Sequence, residues 1–581
     1  PKASVQRYGL AGHLTPEDAE ISDPIFSWTG SLGVAEPVAH PNDGRALWSE
    51  IESRRQSAAL AVVEMDGAEQ ARTSSWAQLA EDLEQIGAGL AAAGVRKGDR
   101  VSLLVPPGID LTVCLYACWR IGAVAVIADA GLGAKGMTAA LRSAAPDYVM
   151  GVGKAMAAGR ALGWPGRRIV VGEMSAARRR ALGVWKSLDE IRAMGKGVQI
   201  PEPPTASDPA VVVFTSGATG PAKGVVYRHG QAQAQRDALI ALYGITESDR
   251  LVAAFAPFAL YGAAIGIPSV VPDMEVTSPG TLAATALAGA VTAIDATMVF
   301  ASPAALVNVV RTAGELSQSQ RSALLGVRLL MSAGAPVPAE LLRQVSSLVA
   351  NAELHTPYGM TEVLPVADID LVEVEAVGEG DGVCVGFPIG GVDVAISPLD
   401  DDGAATGALT TDPAVRGEIC IRADHARDRY DKLWATTEAA SQPPGWHRSG
   451  DVGHLDIDGR LWVEGRMVHL MRTAEGVATP VGIEHAAESV TGVAQAAAVG
   501  VGPMGTQQVV LVIVPAAGCR NAGLADLDLA DAVRAAVSVD VAAVLEVPAL
   551  PVDKRHNSKI NRTRVAKWAE RVLSGGRVGT P

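Results

Sequence analysis

Short apolar runs alternate along most of this chain with longer stretches in which apolar residues recur every three or four positions. The longer stretches predict helices, and residues 76–90 give the clearest case. Apart from Ser102, residues 101–105, 124–128, 210–214, 297–300 and 329–331 are β-branched or apolar, the pattern of strands covered on both faces. Strands spaced by helices predict an α/β fold, with a large N-terminal domain of mixed sheets and helices. The most apolar stretch, 113–128, is interrupted by Arg120 and Gly122, so it predicts a buried helix followed by a strand and no transmembrane segment. After Gly465-Arg466 the rhythm changes. Strands are expected at 496–501 and 509–514 and helices at 483–490 and 527–537, giving a smaller, mobile α+β domain over 466–581 behind a large domain over 45–465. Residues 1–44 are punctuated by Pro and Gly with little periodicity, and are expected to be an arm or linker. Because residue 1 is Pro, this segment could equally be the end of a preceding fused domain.

Composition narrows the class. A chain of 581 residues exceeds one hydrophobic core, so core size is not limiting. Lys and Arg total 49 against 63 Asp and Glu, a net charge of −14, and no basic run offers a nucleic-acid footprint. The five cysteines are scattered and lack CxxC spacing, which argues against a disulfide framework or a structural zinc site. The first residues lack a basic-then-apolar leader, and a cytoplasmic enzyme is expected.

Candidate chemistry begins at Thr215-Ser216-Gly217-Ala218-Thr219-Gly220-Pro221-Ala222-Lys223-Gly224, directly after the strand predicted at 210–214. Glycines allow close backbone approach to an anion, hydroxyls add donors and Lys223 adds a point charge, so the loop is suited to a nucleoside triphosphate. It is not the ordinary P-loop, since Pro221 and Ala222 precede Lys223 and no Ser or Thr follows it. By itself such a loop is as often a plain surface turn.

Four further segments make sense beside it: Ser332-Ala333-Gly334-Ala335-Pro336, Tyr358-Gly359-Met360-Thr361-Glu362, Ser449-Gly450-Asp451 and Gly465-Arg466, with Lys559 near the end. In this order they resemble the adenylate-forming superfamily of acyl-CoA synthetases, luciferases and peptide-synthetase adenylation domains. The resemblance implies activation of a carboxylate by ATP with Mg²⁺ to an acyl-adenylate, with release of pyrophosphate. It assigns the ATP-binding positions to Thr215, Ser216, Gly217, Thr219, Gly220, Lys223, Gly334, Ala335, Pro336, Tyr358, Gly359, Thr361, Asp451 and Arg466. Tyr358 offers a face for adenine, Asp451 an acceptor for the ribose hydroxyls, and Arg466 a fixed-charge donor to ribose or phosphate. Thr361 supplies a hydroxyl to phosphate and Glu362 a hard oxygen ligand for Mg²⁺. Lys559, on the small domain, would bring a cation to the charge developing between carboxylate and α-phosphate. Lys559, Thr361, Glu362 and Arg466 are thus the candidate catalytic residues.

Departures from the superfamily pattern narrow the substrate. The gate of the acyl pocket reads Pro257-Phe258-Ala259-Leu260-Tyr261-Gly262, aliphatic where many relatives carry His, which favours a long acyl chain. The hinge reads Gly465-Arg466-Met467-Val468-His469 in place of the usual Asp, and the following loop differs from the spacing of typical CoA ligases, which points away from CoA transfer. The segments Gly224 to His229, Val271 to Met274, Thr356 to Pro365 and Leu550 to Ile560 resemble one branch, the β-lactone synthetases of long-chain olefin biosynthesis. That resemblance implies a 2-alkyl-3-hydroxyalkanoic acid as substrate, whose β-hydroxyl displaces AMP to close a four-membered ring. It also implies assembly with a thiolase-like enzyme, a reductase and a β-lactone decarboxylase, the last fused to some relatives. The alternatives are a long- or medium-chain acyl-CoA or acyl-AMP ligase, and a scaffold that kept the fold without the chemistry. His229, just beyond the phosphate loop, is either a base for the hydroxyl or a structural histidine.

Overall fold

Nearly every side chain of the helix Ile109–Arg120 is buried, with Asp110 and Arg120 only partly covered, and the strand Val124–Ala128 follows it across Gly122. Gly122 lies at φ +74°, a left-handed conformation that ends the helix and that a side chain would strain. The apolar stretch of the sequence is therefore core. Leu115, Tyr116 and Cys118 of this helix pack with Leu79, Leu83 and Ile86 from the helix Trp76–Ala92. Ser75 starts that second helix: its hydroxyl accepts from the backbone of Gln78 while the Gln78 side chain accepts from the Ser75 backbone, a reciprocal cap worth about 1 kcal/mol.

The computed structural model describes residues 44–581 apart from 68, 129, 215–221, 256–260, 276, 379, 406 and 553–559. Two large sheets organise the first part. In one, the strands Glu353–His355, Leu329–Ser332, Met298–Ala301, Leu251–Ala254, Ser269–Val271 and Leu60–Asp66 run parallel, closed by the antiparallel Glu69–Ser75. In the other, Val124–Ala128, Arg100–Leu104, Tyr148–Gly151, Arg167–Val170 and Val184–Ser187 are parallel with Pro209–Phe214, which then pairs antiparallel with Gly224–Arg228. The two-residue strand Arg429–Tyr430 completes that edge against Val225 and Val226. Both sheets are parallel at their centres and covered by helices, as the uniformly apolar runs predict.

A five-stranded antiparallel sheet follows, in the order Val383–Cys384, Leu461–Arg466, His447–Leu455, Gly417–Ala423, Val392–Pro398. Beyond Arg466 lie the hairpin Met471–Thr473 and Gly476–Ala478 and a four-stranded sheet built on Val493–Val501 and Gln508–Pro515, which the helices Pro480–Glu488 and Arg562–Leu573 cover. The fold is thus mixed α/β with a terminal α+β unit. Among the described residues no helix is long and apolar enough to cross a membrane.

Candidate active site

Side chains far apart in sequence converge at two adjoining clusters. The first is built on the strands His447–Leu455 and Leu461–Arg466, whose register sets Asp451 directly opposite Arg466. The Arg466 Nε lies 3.0 Å from Asp451 Oδ1, and the Tyr358 hydroxyl donates to Asp451 Oδ2 at 2.7 Å. The carboxylate is 8% exposed whereas the guanidinium is 42% exposed, so the cluster has a buried acceptor and an open cationic rim. Burial, and then the Asp451 charge, push the Tyr358 phenol well above its usual range, which keeps it a donor. Local backbone chemistry fixes this geometry. Gly450 sits at φ +72°, its N–H donates to Glu418 Oε1 at 3.0 Å, and the Asp451 N–H donates to Ser449 Oγ at 3.0 Å.

The second cluster surrounds Glu362. Met360 pairs with Val363, so Thr361 and Glu362 form the two-residue tip of a hairpin. Gly359 just before it has no room for a side chain, because a Cβ there would lie 2.6 Å from Leu364 Cδ1. The Tyr227 hydroxyl donates to the Thr361 carbonyl at 2.6 Å, and the Arg427 N–H donates to the Glu362 carbonyl at 2.7 Å. The Tyr430 hydroxyl donates to Glu362 Oε1 at 2.8 Å. Two cations face the Tyr430 ring: Lys223 Nζ lies 5.1 Å and Arg427 Cζ 4.4 Å from its centroid. Burial raises the Tyr430 phenol, with the Glu362 carboxylate adding to the rise.

Gly334-Ala335-Pro336 leaves the C-terminal end of the parallel strand Leu329–Ser332, the edge at which open α/β sheets bind ligands. Gly334 takes φ +105°, a conformation open to glycine and strained for other residues. The phosphate-loop positions Thr215, Ser216, Gly217, Thr219 and Gly220, the gate Pro257 to Leu260, and Lys559 lie outside the described residues. Among the described residues no group of three or more His, Cys, Asp and Glu could by itself hold a metal ion, and Glu362 stands as a single carboxylate. A single carboxylate suits Mg²⁺ that arrives on a nucleotide phosphate, whose oxygens complete the shell.

His229 is placed far from this chemistry. Gly224 pairs with Phe214 at the loop end of the hairpin, while Arg228 pairs with Pro209 at the other end, so the strand carries His229 away from the phosphate loop. Its ring packs edge-on against Trp48 at 5.8 Å, and burial pushes its pKa down to about 4. That is a structural histidine. Arg427, Tyr430 and Tyr227 are partners that sequence reasoning did not single out. Arg427 and Tyr430 lie in the run Asp424-His425-Ala426-Arg427-Asp428-Arg429-Tyr430-Asp431-Lys432, which reads as a solvated charged loop although His425, Arg427 and Asp431 are all buried.

Beside these clusters the helix His229–Leu242 and the first sheet enclose an apolar region containing Leu239, Tyr243, Leu251, Ile267, Met298 and Met331, with a narrow cavity at its centre. Tyr261 donates to Gln235 Oε1 at its edge, and Gln235 Nε2 donates to the Leu364 carbonyl at 2.6 Å. At the junction with the terminal unit, Glu464 is fully buried. It receives Arg416 Nε at 2.5 Å, His454 Nδ1 at 2.7 Å and the Thr479 hydroxyl at 2.8 Å. His469, in the hinge, is held neutral with a pKa of about 4, by burial first and then by Arg562 and Arg466.

Comparison with known proteins gives the family. Residues 50–430 match the AMP-binding enzyme family. The olefin beta-lactone synthetase of Stenotrophomonas maltophilia is 34% identical over 520 residues, covering 86% of this chain and 92% of that protein. The olefin beta-lactone synthetase of Xanthomonas campestris pv. campestris is 34% identical over 516 residues, covering 86% of this chain and 91% of the relative. Among solved structures, the O-succinylbenzoate coenzyme A synthetase of Bacillus subtilis in complex with ATP and magnesium superposes with a TM-score of 0.68 at 20% identity, over 90% of this chain and 99% of the other. The family match and the 34% identity over 86% of the chain lead to one assignment: the chain belongs to the AMP-binding enzymes, and within them it groups with the olefin beta-lactone synthetases.

Proposed function

We propose that this protein is an ATP-dependent β-lactone synthetase acting on a 2-alkyl-3-hydroxyalkanoic acid. The observation that carries the reading is the 34% identity to olefin beta-lactone synthetases over 86% of the chain, since the nucleotide site alone would fit any adenylate-forming enzyme. ATP would place its ribose hydroxyls on Asp451 and its phosphates toward Lys223. Mg²⁺, when bound with ATP, neutralises charge on the departing pyrophosphate, and Glu362 is the carboxylate placed to hold it. The substrate carboxylate attacks the α-phosphorus and the bond to pyrophosphate breaks, with Lys559 balancing the charge that develops. The β-hydroxyl oxygen then attacks the acyl carbon, the bond to AMP breaks, the hydroxyl proton passes to the departing AMP phosphate or to water, and the ring closes. Because nucleophile and electrophile belong to one molecule, the protein has to fold the chain and exclude water. The acid would come from a thiolase-like and a reductase step, and the lactone would pass to a decarboxylase.

Incubation with ATP, Mg²⁺ and a racemic 2-alkyl-3-hydroxy fatty acid, with and without CoA, followed by NMR of the product, tests this. A β-lactone with AMP, independent of CoA, is expected. A CoA thioester would make the protein an acyl-CoA ligase.

A further inference from the structure

Arg427 is 7% exposed, and its Nε has no hydrogen-bond partner among the described residues. Its Nη2 is tied to the Ala440 carbonyl and to Ser441 Oγ, both at 3.2 Å, which fixes the plane of the guanidinium. An orphaned, buried, permanently charged donor is costly unless an anion meets it. The residues around it do not supply one directly: its backbone N–H goes to the Glu362 carbonyl, and the Glu362 carboxylate is engaged by Tyr430. Beside it His447, 5% exposed, also has both ring nitrogens without a hydrogen-bond partner among the described residues. Burial first, and the Arg427 charge next, hold His447 neutral with a pKa of about 3, so it adds no second charge. Lys223, the cation of the phosphate loop, faces the same Tyr430 ring as Arg427.

We propose that Arg427 is a binding residue for the pyrophosphate end of ATP, acting with Lys223, and that Tyr430 is a positioning residue that holds Glu362 in place for the metal accompanying that phosphate. This rests on the adenylation reading above. The aromatic ring keeps the two cations at a fixed separation while its hydroxyl occupies one Glu362 oxygen, leaving the other oxygen to the metal. Arginine suits this place better than lysine because it stays charged when desolvated and presents its donors in a fixed fork.

The test uses the full chain in acid-dependent ATP–pyrophosphate exchange, with AMP binding measured separately by calorimetry and thermal unfolding measured for every variant. Tyr430→Phe keeps the ring and its cation contacts and removes the hydroxyl alone. It is expected to raise the Mg²⁺ concentration for half-maximal exchange roughly tenfold, the size of one lost charge-assisted hydrogen bond. Arg427→Met is expected to raise the KM for pyrophosphate by roughly tenfold or more while AMP, which lacks that end, binds as before. Arg427→Lys should recover part of the loss, and it also serves if the Met variant does not fold. Unchanged Mg²⁺ dependence in Tyr430→Phe overturns the positioning role. Equal loss of AMP and pyrophosphate binding in the Arg427 variants, or a fall in thermal stability alone, overturns the binding role. Absence of acid-dependent exchange in the wild-type protein would remove the adenylation reading itself, and this proposal with it.

Discussion

Replacing Asp451 by Asn probes the ribose cluster with a change of one atom. In the native protein Oδ2 accepts the Tyr358 hydroxyl at 2.7 Å and Oδ1 faces the Arg466 Nε at 3.0 Å, in a side chain only 8% exposed. An amide turns one of these acceptors into a donor, and where it faces Tyr358 the hydroxyl has to accept, so a neutral hydrogen bond replaces one to a charged group. Loss of a hydrogen bond to a charged group in a buried place costs about 1.5–3 kcal/mol. The Arg466 share is smaller, about 1 kcal/mol at most, because a guanidinium that is 42% exposed regains water. Folding stability should therefore fall by roughly 2–4 kcal/mol, read from urea unfolding. If ribose hydroxyls donate to the same carboxylate, ATP binding loses a charged acceptor as well and should weaken roughly 10- to 100-fold, read by calorimetry at a temperature where the variant is folded. The reasoning fails if the folded variant binds ATP as tightly as the native protein, since Asp451 would then hold the strands together and nothing more.

Lys559→Ala should abolish acid-dependent pyrophosphate exchange while ATP binding is retained, and full exchange would take Lys559 out of the mechanism. Glu464→Ala leaves Arg416 and His454 facing a hole at a fully buried site and should cost about 3–5 kcal/mol of unfolding free energy; a loss below 1 kcal/mol, roughly, would mean the charges there find water. Stability should also fall in acid. His229 and His447 have folded pKa values of about 4 and about 3, below that of an unfolded histidine, so between about pH 6.5 and 4 the unfolded chain binds more protons and each residue removes up to about 1.4 kcal/mol per pH unit. His447→Gln should flatten that slope in urea melts at pH 5 and pH 7, and an unaltered slope would discount its share.

What could be read from the sequence followed the strength of each local signal. The helix Trp76–Ala92 carries both apolar periodicity and a Ser75/Gln78 cap, and the central parallel strands Val124–Ala128 and Pro209–Phe214 are apolar runs, so their type was plain, whereas the mixed edge strands Arg167–Val170 and Val184–Ser187 gave no such signal. Tyr358, Asp451 and Arg466 could be grouped only through resemblance, because their proximity depends on the register of the strands His447–Leu455 and Leu461–Arg466. The strand His447–Leu455 opens with His-Arg-Ser-Gly-Asp, and a register irregularity between Val452 and Gly453 breaks its pairing with Leu461–Arg466, so no alternation marks it. Arg427 and Tyr430 left still less trace. A two-residue strand has no period, and nothing local tells a buried arginine from a solvated one.

The edge strand Arg429–Tyr430 sets a timetable for folding. Its partner Gly224–Arg228 lies some 200 residues earlier in the chain, and the residues around it clamp back even further: Arg100 holds both Asp431 carboxylate oxygens, and Lys432 Nζ donates to the Ser143 carbonyl at 2.6 Å. Closing so long a loop costs entropy before any contact repays it, so this strand should dock late. During synthesis the first two sheets could assemble while the Glu362 side chain still lacks its tyrosine. A nascent chain short of residue 430 would hold the strands of its first two sheets, apart from this edge, before the Tyr430 hydroxyl reaches Glu362.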